Sequence, residues 1–173
     1  MSRDKILGLF NTDPDTIRAA LEGSDQATSA DKKLLALTIG VGQLAAFIRD
    51  DGWSRNHLRR VFGFCAGWLL ALGEKNALMK ISAERDRQKK LFRVEKKLHF
   101  TCASRIPDAT RKLRVLVKEL GEVANAIDQL EIAESRESLA LKEWRLELRV
   151  EKITRVAAVA VAWLESFETK EGK

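Results

Sequence analysis

The chain of 173 residues has no tyrosine, two prolines (Pro14 and Pro107), two cysteines (Cys65 and Cys102) and two histidines (His57 and His99). So little proline and tyrosine suits an all-helical protein. The cysteines lack metal-ligand spacing, and a chain of this size folds without a disulfide, so a reducing cytoplasm is the expected setting. The histidines stand far apart outside any ligand pattern and read as surface or capping residues. Hydrophobic runs are also short. The longest uncharged one, Leu34 to Ile48, falls below the roughly 18 to 20 residues that cross a bilayer. Met1-Ser2-Arg3-Asp4-Lys5 precedes too brief an apolar patch for a secretory signal. No serine sits in a nucleophile elbow and no glycine loop has the pattern that cradles phosphate. A soluble protein with no membrane partner is expected.

What is present is 45% apolar and 32% charged, with a net charge of +6. That balance suits polyanionic partners without choosing among them. The four tryptophans, Trp53, Trp68, Trp144 and Trp163, fit a core or an interface better than base-stacking platforms, so nucleic acid is not the expected partner. Asp13-Pro14-Asp15 starts a short helix that Gly23 stops, and a small, polar loop follows. Helices are then expected from Asp31 to Arg49, from the cap Ser54 to Gly73, from Asn76 to Leu98, from Asp108 to Glu131 and from Ser138 to Glu168. The second and third of these are separated by a short turn, and His99 to Pro107 reads as irregular. The Asp31–Arg49 helix and the one carrying Val61 to Leu72 are apolar nearly all round, so both are expected to be buried, inside the chain or against a partner.

The pattern repeats. Lys33-Leu34, Leu37, Gly42, Ala45 and Ile48 match Lys112-Leu113, Leu116, Gly121, Ala124 and Ile127 without a gap. Downstream, Arg60, Val61, Trp68, Leu69 and Lys75 match Arg155, Val156, Trp163, Leu164 and Lys170. Two similar helical hairpins would build an all-α bundle within one chain. The expected organisation is a short helix and loop at 1–30, a first hairpin at 31–75 and a second helical region at 76–173.

Within Lys112–Asp128, Leu113, Leu116, Leu120, Val123 and Ile127 form one apolar face, and Glu119 and Glu122 are spaced i, i+3. Two carboxylates one turn apart can share a hard cation, which takes oxygen ligands. Ile81-Ser82-Ala83-Glu84-Arg85-Asp86-Arg87-Gln88, the Leu-Gly-Glu-Val-Ala segment around Glu122, and Val156 to Glu165 with its Trp-Leu-Glu end together resemble the MazG-like, all-α nucleoside triphosphate pyrophosphohydrolases. The resemblance covers roughly Ile81 to Phe167. It implies a MazG-like bundle that holds Mg2+ or Mn2+ on a Glu-x-x-Glu pair and a Glu-x-x-Asp pair, as a homodimer or dimer of dimers, whereas an internal duplication would let one chain do the work of two; a homodimer is expected. Such a site splits a nucleoside triphosphate to monophosphate and pyrophosphate by metal-assisted phosphoryl transfer.

Glu119 and Glu122 match the first pair. Lys118 stands where the family has a further glutamate, and Lys152 and Arg155 fall where the second pair belongs. Glu151 and Glu147 are the nearby substitutes, although on an ideal helix Glu151 points about 100° away from the ligand position. Two hypotheses follow. One is a metal-dependent pyrophosphohydrolase using Glu119, Glu122, Glu147 and Glu151, with Arg85, Arg87 or Lys89 facing phosphates. The other is a catalytically degenerate nucleotide-binding or protein-interaction module in which Lys118, Lys152 and Arg155 meet phosphate or pair with the glutamates. The first needs the four carboxylates to converge.

Overall fold

The computed structural model describes residues 29–49, 55–94, 109–134 and 139–171. The expected helix at Asp13–Gly23, Trp53, and His99 to Pro107 with Cys102 lie outside these residues. The described residues form five helices and no strand: α1 (Ala30–Arg49), α2 (Arg55–Ala71), α3 (Ala77–Val94), α4 (Ala109–Glu134) and α5 (Leu139–Glu171). The all-helical expectation is met, and the boundaries fall close to the capping signals. Ser29 caps α1, its Oγ accepting from the Lys32 amide at 3.5 Å. Asp31 in the first turn and Arg49 in the last complement the helix dipole.

The turn between α2 and α3 is closed by backbone. The Glu74 amide reaches the Leu69 carbonyl at 3.0 Å and the Gly73 amide reaches Leu70 at 2.9 Å. Gly73 has φ +85°, the left-handed conformation that this pair of bonds requires of the residue after the helix.

α1 packs on α2 and α4, and α5 also packs on α2 and α4, so these four helices close a ring. α3 lies outside the ring against α5 and α2. Enclosed by three neighbours, α5 is buried continuously from Val156 to Leu164, and alanines at 157, 158, 160 and 162 let the surrounding helices approach closely. Trp163, Phe62, Leu37 and Leu116 are among the largest fully buried side chains. Each such apolar side chain contributes about 1.5–3 kcal/mol relative to exposure.

α1 is covered by the rest of the chain along one side only. It buries Leu37, Val41 and Leu44 but leaves Leu35 59% and Ile39 52% exposed. On α2, Phe64 and Leu70 are also partly open. For α1 the reason is position in the ring: it sits at a corner with two neighbours, whereas α5 has three. Cys65 packs in the core as a free thiol, and burial pushes its pKa well up. Trp68 and Trp163 are core residues, while Trp144 stands half exposed.

Two glycines give opposite outcomes on replacement. Gly73→Ala should cost about 1–2 kcal/mol because a Cβ is forced into the left-handed region. Gly63 lies within α2 and a Cβ there meets nothing within 4 Å, so Gly63→Ala should add up to about 1 kcal/mol through helix propensity. Urea denaturation of the two variants measures both signs.

Candidate functional site

Three helices bring the charged residues together because each presents one polar stripe at helical spacing. Glu84 and Arg87 come from α3, Lys118, Glu119 and Glu122 from α4, and Glu147, Glu151, Lys152 and Arg155 from α5. The α3 guanidinium feels both Glu151 and Glu119 as well as Glu84. Glu119 in turn feels Arg155, Lys118, Glu122 and Lys152.

Between α3 and α5 runs a cleft of about 620 Å³. Its apolar part is formed by Leu72, Ala83, Leu146 and Val150, and its charged lining by Glu74, Lys80, Glu84, Arg87, Glu147 and Glu151. The volume lies in the range of small-molecule sites. Charge on the lining is mostly paired. Arg87 forks onto Glu84, Nε to Oε2 at 2.6 Å and Nη2 to Oε1 at 2.7 Å, and Gln88 Nε2 donates to the same carboxylate at 3.1 Å. Burial pushes the Glu84 carboxyl up, but these hydrogen bonds outweigh it and leave the pKa below the usual carboxylate value. Lys80 holds Glu74, and this hydrogen bond depresses its carboxyl too.

The carboxylates of the resemblance are engaged by cations. Lys152 Nζ lies 3.0 Å from Glu122 Oε2 and holds that carboxyl below its ordinary value. Arg155 pairs with Glu151 one turn back on α5. Glu147 lies on the cleft wall, and Lys118 is exposed on α4. Glu119 is different. Half buried, its Oε2 has no hydrogen-bond partner. Desolvation pushes its carboxyl up, and the opposing pull of Arg155 and Lys118 does not cancel this.

Among the described residues, no three Asp, Glu, His or Cys side chains converge as the ligands of a metal would. Divalent magnesium needs several oxygen ligands and tolerates no ammonium group among them. The donor set present does not fit that ion, since Lys152 is held on Glu122 and Arg155 on Glu151.

Of the basic residues expected to face phosphates, Arg87 alone lines the cleft. Arg85 is 1% exposed and gives Nε and Nη2 to Glu165 Oε2 at 3.2 and 2.8 Å. Lys89 Nζ reaches Glu165 Oε1 at 3.0 Å. Both are held at the α3–α5 contact by one carboxylate.

Sequence reasoning also passed over Glu84, Glu165 and Lys112. The i, i+3 spacing of Glu84 and Arg87 was a legible signal of their pairing. Lys112, 1% exposed, donates to Ser166 Oγ at 2.8 Å, and Ser166 Oγ donates to the Trp163 carbonyl at 2.6 Å. Lys112 stands four residues before Leu116, so helical spacing puts it on the buried side of α4, but nothing in the sequence marks Ser166 as its partner.

The chain matches no protein-family model, no curated protein and no solved structure.

Two outcomes follow from this geometry. Glu119 binds its proton more tightly folded than unfolded, so its contribution to stability declines as pH rises through its raised folded value. Glu119→Gln should therefore be more stable than the parent at about pH 8 and equal to it at about pH 4, as read by urea midpoints. Glu165→Gln leaves the buried Arg85 without its counter-charge and should cost about 3 kcal/mol. Arg85→Met combined with Glu165→Gln should lose less than Glu165→Gln alone, in the same denaturation experiment.

Proposed function

We propose that this chain is a MazG-like bundle in which fixed cations have replaced the metal, so that it serves as a nucleotide-binding or protein-interaction module rather than as a pyrophosphohydrolase. The observation that carries this reading is the Glu122–Lys152 ion pair at 3.0 Å, with Arg155 held on Glu151. A cation entering between these glutamates would have to break both pairs and then sit beside two positive groups. The packing of α1 on α4 and of α2 on α5 supports a duplicated hairpin, because equivalent helices of two copies related by a pseudo-two-fold axis meet like on like. In the first hairpin Gly40 and Gln43 take the places of Glu119 and Glu122. A Cβ on Gly40 would lie 3.7 Å from the Phe64 ring and Val61, so that half offers packing and no ligands.

The cleft is the ligand site in this reading. Its lining carries Glu74, Glu84, Glu147 and Glu151 against Lys80 and Arg87, which disfavours a bare polyphosphate deep within it. A phosphorylated nucleotide would place its base on Leu72, Leu146 and Val150 and its phosphates outward, toward Arg87, Lys118, Lys152 and Arg155. An apolar side chain of a protein partner fits the same surface. A cytoplasmic setting and a homodimer belong to the reading as well. No helix among the described residues is long and apolar enough to cross a membrane.

A second reading, metal-dependent hydrolysis with Mg2+ or Mn2+, is favoured by Glu119, whose raised pKa and partnerless Oε2 leave one carboxylate of the family pair available. The two are separated by measuring pyrophosphate and monophosphate release from a panel of ribo- and deoxyribonucleoside triphosphates with either metal. The binding-module reading expects no turnover. Turnover that disappears in both Glu119→Ala and Glu122→Ala would establish the hydrolase instead. The proposed exchange of cations for ligands has its own test: Lys152→Glu with Arg155→Asp restores a four-carboxylate set and should gain Mn2+ binding in isothermal titration, where the parent chain shows none.

A further inference from the structure

Away from the cleft, the outward face of α1 stands out for its lack of charge. Successive helical residues lie about 100° apart, so Leu35, Ile39, Gly42 and Ala46 fall on one stripe, opposite the buried Leu37, Val41 and Leu44. No charged residue occurs between Lys33 and Arg49. Leu35 and Ile39 are more than half exposed, and Phe47 and Phe64 are partly exposed toward one flank. Gly42 opens outward, with nothing within 4 Å of an added Cβ. An apolar stripe about three turns long is not left to water without consequence.

The sequence of this stripe complements itself. When two α1 helices meet antiparallel about a two-fold axis between Gly40 and Val41, Leu35 falls over the partner subunit's Ala46. Ile39 falls over the partner subunit's Gly42, so large residues meet small ones along the stripe. The same operation brings Asp31, at the start of the helix, to the end where the partner's Arg49 stands, with Lys32 beside it, so charged residues lie at the two rims and none along the stripe between them. Elsewhere a chain of net charge +6 repels its own copy; along this face that repulsion is absent.

We propose that the outward face of α1 is the homodimer interface, formed by antiparallel packing of α1 on the second copy's α1 with Phe47 and Phe64 at its edge. The interface is isologous, since each copy supplies the same residues. The inference locates the homodimer of the reading above and is independent of the nucleotide, because it is measured without one.

Sedimentation equilibrium on the full chain, over micromolar to near-millimolar concentrations, tests it. The parent chain should sediment as a dimer. Ile39→Glu, which introduces charge at an exposed position, should reduce the mass to that of one chain. Gly42→Leu should do the same by blocking close approach, while its helical circular dichroism stays at the parent's, since the site is open in the monomer and glycine is a poor helix former. A parent chain that remains monomeric throughout would overturn the proposal, whatever else covers the face. So would a dimer that survives either substitution in folded protein.

Discussion

The enclosure of α5 by three neighbours is the constraint from which the rest of the molecule follows. With α2, α3 and α4 packed around it, the segment from Val156 to Leu164 has no solvent side and is composed of alanine, valine, tryptophan and leucine. A helix so enclosed cannot rotate to present a different face without moving polar groups into the core, an expense of several kcal/mol per unpaired group. The register of the segment just before it is therefore fixed as well. Lys152 faces Glu122 and Arg155 is within electrostatic reach of Glu119 because the buried stretch that follows leaves no other choice.

That register decides the electrostatics of the site. Metal chemistry on such a bundle depends on carboxylates kept apart by nothing but the ion they share. Here ammonium and guanidinium groups, covalently attached to the scaffold, pair with Glu84, Glu122 and Glu151 in advance. The outcome for each acid depends on how closely a cation reaches it. Glu122 and Glu84 are held ionised by direct hydrogen bonds, whereas Glu119, desolvated and touching none, titrates upward. Of these pairs, Lys152–Glu122 joins α5 to α4, whereas Arg87–Glu84 and Arg155–Glu151 each stay within one helix.

The helices were legible in the sequence because apolar period, caps and the Gly73 stop all agreed, whereas the spacing left open whether Lys152 and Arg155 meet phosphate or carboxylates; Lys152 reaches Glu122 and Arg155 reaches Glu151. Composition failed where the answer depended on neighbours. The uncharged stretch of α1 reads as buried inside the chain or against a partner, and which of these covers each side is set by its place in the ring, which its own residues do not encode. Arg85 and Lys89 read as a phosphate-facing lip with Arg87, since all lie on one charged helix. Their separation depends on Glu165, eighty and seventy-six residues away in sequence. Lys112 belongs to the same class, its burial made tolerable by a serine on another helix.

The outlying position of α3 bears on motion. Its buried apolar anchors are few, Ala77 and Ile81 with Leu78 half covered, and much of its hold on α5 runs through Glu165. A helix attached this way opens at a lower free energy than the ring it rests on. Ionic strength weakens the exposed part of that attachment, so the amides of α3 should exchange with solvent ahead of those of α5, and sooner in high salt. Because α3 forms one wall of the cleft, its excursions also set the width of the cleft. The bundle thus pairs a rigid floor with a wall that can yield to the shape of whatever it admits.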